Sequence, residues 1–252
     1  MQYLVILILT ALSTIGWCLP SHAESEFKGF YGQVATGYED NRFSSINPNW
    51  RTSGNSGIGP GGSQHKTGAP LVLGGGYFHE VTNDWLIGFG VDYHPLAQDN
   101  GTFKVLTNPA SSHSSFYQNM SYQVSNRVNL SVMPAYTLAP DKLLYLKLGY
   151  STQTLKYRQI APDAGGLTSG FERNARQNGM LIGAGYKQTV AHGFYGFVEA
   201  NSVLYAKATI QGSAYAGAGA VCFSSRPLVS AMNVLFGVGY TFDAFGHSPT
   251  PQ

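Results

Sequence analysis

The chain has 252 residues and a net charge of +2, with 11% charged residues, 13% aromatic residues and 31 glycines. Soluble proteins carry about 25% charged residues, so the low charge needs a structural cause. No basic stripe or recognised motif supports nucleic-acid binding, and the length suits one large domain or two small ones.

The chain begins with "MQYLVILILTALSTIGWCL", which is uncharged and apolar from Leu4 to Ile15, followed by Pro20 and the small-residue pattern Ser21-His22-Ala23. This reads as a secretory signal peptide over residues 1–23, cleaved after Ala23. The apolar run is shorter than the roughly 20 residues that span a bilayer, and Trp17 before Cys18 does not suit lipid attachment. After cleavage Cys222 is the sole cysteine, so no intrachain disulfide forms.

From residue 24 onward the informative signal is a period of two. Phe30, Val34 and Tyr38 mark a first strand, and Leu71, Leu73 and Tyr77 a second. In the third, "WLIGFGVDYH", Trp85, Ile87, Phe89, Val91 and Tyr93 share one face. Val128, Leu130, Val132, Tyr136 and Leu138 mark the fourth; Leu144, Leu146, Leu148 and Tyr150 the fifth; Met180, Ile182, Ala184 and Tyr186 the sixth. The seventh, "FYGFVEANSVLYAK", is apolar on both parities, and the eighth carries Met232, Val234, Phe236, Val238, Tyr240 and Phe242. Pro134 in the fourth strand removes one ladder donor and suggests a bulge or the periplasmic end of that strand.

The connections alternate in length. "VTND", "APDK" and "VAHG" are short, whereas residues about 40–68, 95–119, 158–176 and 209–229 are long. Tight turns at one rim and long loops at the other predict an all-β fold, an eight-stranded antiparallel transmembrane up-and-down barrel over residues 24–242, followed by a short tail, 243–252.

A soluble barrel alternates too, so charge decides which face is apolar. Asp92, Arg127, Lys147 and Lys187 lie opposite the large apolar residues, and Glu199 selects the parity of the seventh strand, placing Lys207 inward as well. Such a lumen suits a membrane barrel whose fatty face meets lipid, where an outward Lys or Arg at the midplane costs about 2–4 kcal/mol. Half of every strand then faces hydrocarbon, which accounts for the low charge. Asp92 and Glu199 are expected either to pair with Arg127, Lys147 or Lys187 across the lumen or to stay hydrated near the rims. Trp85, Tyr93, Tyr136, Tyr150, Phe194, Tyr240 and Phe242 fall near strand ends, as interfacial girdles require.

With its signal peptide, the glycine-rich strands "LVLGGGYFHE" and "MLIGAGYKQ", the hairpin "FYGFVEANSVLYAK" and the closing "LFGVGYTF", the chain resembles the small eight-stranded outer-membrane barrels of Gram-negative bacteria, the OmpA/OmpX-like surface proteins. The resemblance implies the bacterial outer membrane, outer-membrane lipids and lipopolysaccharide as surroundings, and the barrel-assembly machinery as a partner. That machinery reads a terminal aromatic in such proteins, which by position is Phe242 with Tyr240. Here "DAFGHSPTPQ" follows, a departure from the family pattern.

Chemistry is sparse. "GIGPGG", residues 57–62, has the letters of a dinucleotide fingerprint without its strand–turn–helix context. The histidines are scattered singly, so no metal site and no cofactor are expected. An enzyme is not expected. The enzyme alternative is a lipid A-modifying barrel, with His94 at the outer end of the third strand and His113 within "SSHSSF". A narrow channel is a second alternative, with glycines at 74, 76, 88, 90, 183, 185, 237 and 239 thinning the lumen. The leading expectation is a structural or adhesin-like surface role through long loops with a slight basic excess, which favours lipopolysaccharide phosphates or host surface ligands.

Overall fold

The computed structural model describes residues 25–44, 46–51, 53–54, 56–58, 62–99, 103–107, 116–160, 171–216 and 219–242. The expected signal peptide, the tail 243–252 and His113 lie outside the described residues.

Eight strands form the barrel: β1 (Gly29–Ser44), β2 (Leu71–Thr82), β3 (Trp85–His94), β4 (Phe116–Ala139), β5 (Lys142–Ile160), β6 (Phe171–Ala191), β7 (Phe194–Tyr205) and β8 (Leu228–Thr241). Each pairs antiparallel with its sequence neighbour, and β8 pairs with β1 from Tyr31↔Thr241 to Ser44↔Leu228, closing the ring. Phe242 extends the closure, its N–H donating to the Phe30 carbonyl at 2.8 Å. Closure leaves the ring with no free edge, the requirement for β-structure in hydrocarbon. The three tight turns lie at one rim; that at His192 and Gly193 holds both at positive φ, 47° and 82°, as a type I′ hairpin does.

Alternation fixes the two faces. Phe236 is 59% exposed while its neighbour Leu235 is 2% exposed. The outward set of β8 runs from residue 232 to 242, matching the roughly 9–11 residues with which a tilted strand crosses a bilayer. Aromatic pairs collect at the tight-turn rim: Phe30–Tyr77 at 4.8 Å, Trp85–Tyr136 at 5.2 Å and Phe194–Tyr240 at 4.8 Å between centroids. Tyr38, Tyr93 and Tyr150 face outward nearer the other rim. The apolar belt lies between these two girdles, which is the pattern of a membrane-spanning barrel.

Three strands rise well beyond the belt. β4 has 24 residues, β5 19 and β6 21, against 10 in β3, so they form a wall above the membrane. Asn126, at φ 50°, forms a bulge in β4 where the register against β5 shifts. The extra residue exchanges parity. Below it Arg127, Asn129 and Ser131 point inward; above it Val124, Tyr122 and Met120 do, so the wall keeps an apolar inner face.

Pro134 departs from expectation. It is neither a bulge nor a strand end, because β4 runs on to Ala139 with its β3 register intact through Ile87↔Pro134. Its missing N–H shows instead on the β5 side, where the ladder passes from Tyr145↔Ala135 to Leu148↔Val132 with no pairs between.

Candidate functional site: a filled lumen beneath a strand-built crown

The lumen is layered. At the tight-turn end Tyr31, Phe78, Leu86, Met133, Tyr145, Tyr195 and Phe197 form an apolar cluster, joined by Phe27 from the segment before β1. Phe27 is buried and meets Tyr195 edge-on at 5.9 Å. At the opposite end Phe43, Met120, Tyr122, Leu155, Tyr157, Leu181 and Tyr205 form a second cluster. Polar side chains occupy the space between.

In that middle layer the Lys147 ammonium donates to Asp92 Oδ2 at 2.6 Å and to Glu199 Oε1 at 2.8 Å. Tyr145 donates to Glu199 Oε2 at 2.7 Å, and Asn201 to Glu199 Oε1 at 2.7 Å. Asn201 also reaches Asn233 at 3.0 Å, and Asn233 reaches Glu39 at 3.4 Å. Arg127 donates to Glu39 Oε2 at 2.6 Å, to Asn41 at 2.7 Å and to Gln153 at 3.2 Å. One connected network therefore spans the cylinder, and in it the acids Glu39, Asp92 and Glu199 meet the bases Arg127 and Lys147. Buried ions tolerate loss of water only when paired and hydrogen-bonded in this way.

Lys187 stands apart from the carboxylates. Its ammonium lies 3.9 Å from the Tyr31 ring centroid and 4.6 Å from that of Tyr195, with Phe78, Tyr145 and Phe197 around it. It donates to Gln33 Oε1 at 3.1 Å and to the Tyr195 hydroxyl at 3.3 Å. Ring faces stabilise such a cation by about 0.5–2 kcal/mol.

The structure thus brings Asp92, Lys147 and Glu199 together, gives Arg127 to a different acid and cages Lys187 in aromatics. Glu39 is the lumen acid absent from the charges assigned inward by parity. Its parity with Gln33 and Asn41, opposite Val34 and Tyr38, was the available signal, and it is 2% exposed. Lys207 was expected inward; it lies beyond the end of β7 and is exposed. Glu199 does point inward, so the parity of β7 holds up to Tyr205 and ends there.

The inward glycines make room for side chains rather than for solvent, rings among them. A Cβ at Gly185 would lie 2.3 Å from the Tyr145 ring, at Gly239 2.3 Å from Tyr195, and at Gly88 2.4 Å from Phe78. Beside Glu39, His94 and Arg127 a cavity of about 10 Å³ remains, room for about one water. His94, at the end of β3, points into this lumen, bonded to Asn129 at 3.2 Å and 3.8 Å from Glu39. Among the described residues no three His, Cys, Asp or Glu side chains converge as a metal site.

Above the lumen the long connections are themselves strands. Gln64–Gly68 pairs with the upper part of β1, and Gln98–Asp99 and Phe103–Thr107 pair with β4. A separate four-stranded sheet takes Ile210–Ala216, Gly219–Ser225, Asn49–Arg51 and Ser56–Ile58 in that order. Gly57 and Ile58 of the "GIGPGG" stretch are thus part of a strand. Aromatic contacts tie this sheet to the barrel: Phe43–Tyr122 at 5.8 Å, Tyr122–Tyr157 at 5.2 Å, Tyr157–Phe171 at 5.5 Å and Phe171–Phe223 at 6.0 Å. Burial pushes the Tyr122 phenol up to about 12, and its hydroxyl lies 3.0 Å from Ser225 Oγ.

On the outer face of the wall, Thr152, Thr154, Lys156 and Arg158 of β5 stand beside Asn178, Arg176, Asn174 and Glu172 of β6. Glu172 pairs with Lys156 at 2.8 Å and with Arg158 at 3.0 Å, leaving Arg176 bonded to Thr152 at 3.1 Å.

No family model matches the chain, and no curated protein matches it in sequence. Among solved structures it is similar to the outer membrane protease OmpT of Escherichia coli, at 8% identity over 86% of this chain and 97% of that one, with a TM-score of 0.46. It is also similar to Ail, the attachment invasion locus protein of Yersinia pestis, solved with the heparin analogue sucrose octasulfate, at 14% identity over 85% and 99% with a TM-score of 0.41. The outer membrane protein OprG of Pseudomonas aeruginosa is similar at 12% identity over 88% and 98%, with a TM-score of 0.41.

Proposed function

We propose that this chain is an outer-membrane protein that acts at the cell surface through its strand-built crown, and that it neither conducts solutes nor catalyses a reaction. The observation that carries the reading is the pairing of a lumen filled by two aromatic clusters and an ionic network with long connections folded into ordered sheet. A filled eight-stranded interior leaves no aqueous path, whereas ordered loops on a rigid scaffold are where binding resides. Side chains that occupy the space beside the inward glycines favour this reading over a channel, and a His94 ring turned into the lumen toward Asn129 favours it over a reaction that uses His94 at the rim.

Lipopolysaccharide is the proposed neighbour of the wall. Arg176 pairs with Thr154, four residues beyond Tyr150, so it stands about 13 Å along the strand from the upper girdle. Arg176, Lys156 and Arg158 outnumber Glu172 there, and guanidinium pairs well with phosphate.

Two measurements on cells test the reading. Cys222 is exposed in the crown, so a membrane-impermeant maleimide should label it on intact cells; labelling only after lysis would place the crown on the wrong side. Replacing residues 49–58 and 210–225 by short turns should abolish attachment of the expressing cells to host cells or matrix. Unchanged attachment, single-channel current in planar bilayers or an altered lipid A mass on expression would each refute it.

A further inference from the structure

The crown sheet has two faces of opposite chemistry. Its middle row, Gly212, Phe223, Trp50 and Gly57, runs across all four strands. Phe223 and Trp50 are buried in it, and Trp50 lies so close that a Cβ on Gly57 would fall 2.6 Å from its ring. The two flanking rows face the other way. One is Ser213, Cys222, Arg51 and Ser56; the other is Gln211, Ser224, Asn49 and Ile58. These rows, with the middle row between them, line a shallow concavity of about 760 Å³, within the roughly 300–1,000 Å³ range of small-ligand sites.

We infer that this concave face is a binding site for a saccharide bearing one acidic group, a carboxylate or a sulfate. The inference rests on the surface role proposed above and names its ligand class. Strand spacing makes the face about 14 Å across four strands and about 7 Å between rows, the footprint of a short oligosaccharide. The amides of Asn49 and Gln211 each offer both a donor and an acceptor, and the serines do the same, which matches neighbouring sugar hydroxyls. The side chains of Asn49, Arg51, Gln211 and Ser213 are exposed on this face. Among the described residues Arg51 is the one cation of the face and no carboxylate lines it, so its planar fork selects an anionic substituent.

Other partners fit less well. A protein interface needs apolar or aromatic anchors at its centre, and here the two aromatics of the middle row, Trp50 and Phe223, are each only 4% exposed. A nucleic acid needs several cations along its backbone, and among the described residues this face has one.

The test uses the full chain in detergent on an array of immobilised mono- to tetrasaccharides, half with a carboxylate or sulfate and half their neutral counterparts. Binding is expected to the acidic members, at least about 10-fold above the neutral ones. Arg51→Gln should erase that preference, since a hydrogen bond to a charged group is worth about 1.5–3 kcal/mol, and 1.4 kcal/mol is tenfold. Asn49→Ala with Gln211→Ala should weaken acidic and neutral members alike, and unboiled migration on a denaturing gel shows that each variant remains a barrel. Equal binding of acidic and neutral members, an Arg51→Gln variant that retains the preference, or no saccharide bound by the parent chain overturns the inference. If that happens while crown trimming still abolishes cell attachment, the surface role stands and only the ligand class falls; if trimming also has no effect, both fall.

Discussion

Replacing Lys147 by Met should destabilise the barrel by about 3–5 kcal/mol, the cost of removing one partner from a buried ion pair. The size follows from the geometry. The ammonium is 2% exposed as a residue and bonds two carboxylates, at 2.6 and 2.8 Å, that lie on different strands, β3 and β7. Without it Asp92 has no other cation within ion-pair distance among the described residues, and Glu199 keeps only the neutral donors Tyr145 and Asn201. The natural assay is urea unfolding of the detergent-folded protein, followed by the unboiled band on a denaturing gel. With a slope of about 2 kcal/mol per molar, a loss of 4 kcal/mol moves the midpoint down by about 2 M. Adding Asp92→Asn and Glu199→Gln to Lys147→Met should recover most of the loss, because replacing a whole buried ion cluster by neutral groups is often near neutral. A midpoint unchanged by Lys147→Met, or a triple variant no better than the single one, would refute the assignment of these three residues to one cluster.

The lumen and the crown each give further expectations. Gly185→Ala should cost about 1–3 kcal/mol by overpacking, because its Cβ would meet a Tyr145 ring held by Glu199; an unchanged urea midpoint would show that the ring moves freely. Phe242→Ala with Tyr240→Ala should lower the yield of folded barrel in cells, measured as heat-modifiable protein in the outer-membrane fraction, since Phe242 closes the ring onto Phe30 and packs on Tyr240 at 5.2 Å. Glu172 stands outside the membrane, and hydrogen bonds from Lys156 and Arg158 hold its carboxyl below the ordinary glutamate value. A depressed folded value means that its contribution is present above the unfolded value and is lost as pH falls through the folded one. A carbon-13 titration should therefore find Glu172 titrating below an unstructured glutamate, and an ordinary value would contradict the ion pairs.

The barrel was legible in sequence because a strand's period of two is local. Met232 to Phe242 announce a fatty face without reference to any other strand, and the contrast between short and long connections orders the strands around the ring. The inward parity of Asp92, Arg127, Lys147 and Lys187 follows from the same rule, since each charge sits opposite large apolar neighbours, whereas the seventh strand is apolar on both parities and its inward face is selected by Glu199 itself. Parity says nothing, however, about who meets whom. Glu39 and Arg127 are 88 residues apart in sequence and touch at 2.6 Å, because ring closure and strand stagger set heights around the cylinder, and those depend on every register at once.

The same distinction separates the glycines and the loops. A glycine at position 185 looks like a place where the lumen thins, and only the third dimension shows the Tyr145 ring that fills it. Residues 49–58 and 210–225 read as parts of two long loops that mix aromatic and polar residues, since nothing in either segment names the other as its partner. Their pairing into one sheet is a non-local event, made by closing β8 against β1, which brings the connections after β1 and before β8 to the same rim. The sequence by itself therefore determined which side of each strand faces lipid, because that is decided residue by residue. The tertiary structure alone decided the ionic partners, the filled lumen and the polar face of the crown, because each depends on groups that only the closed ring brings together.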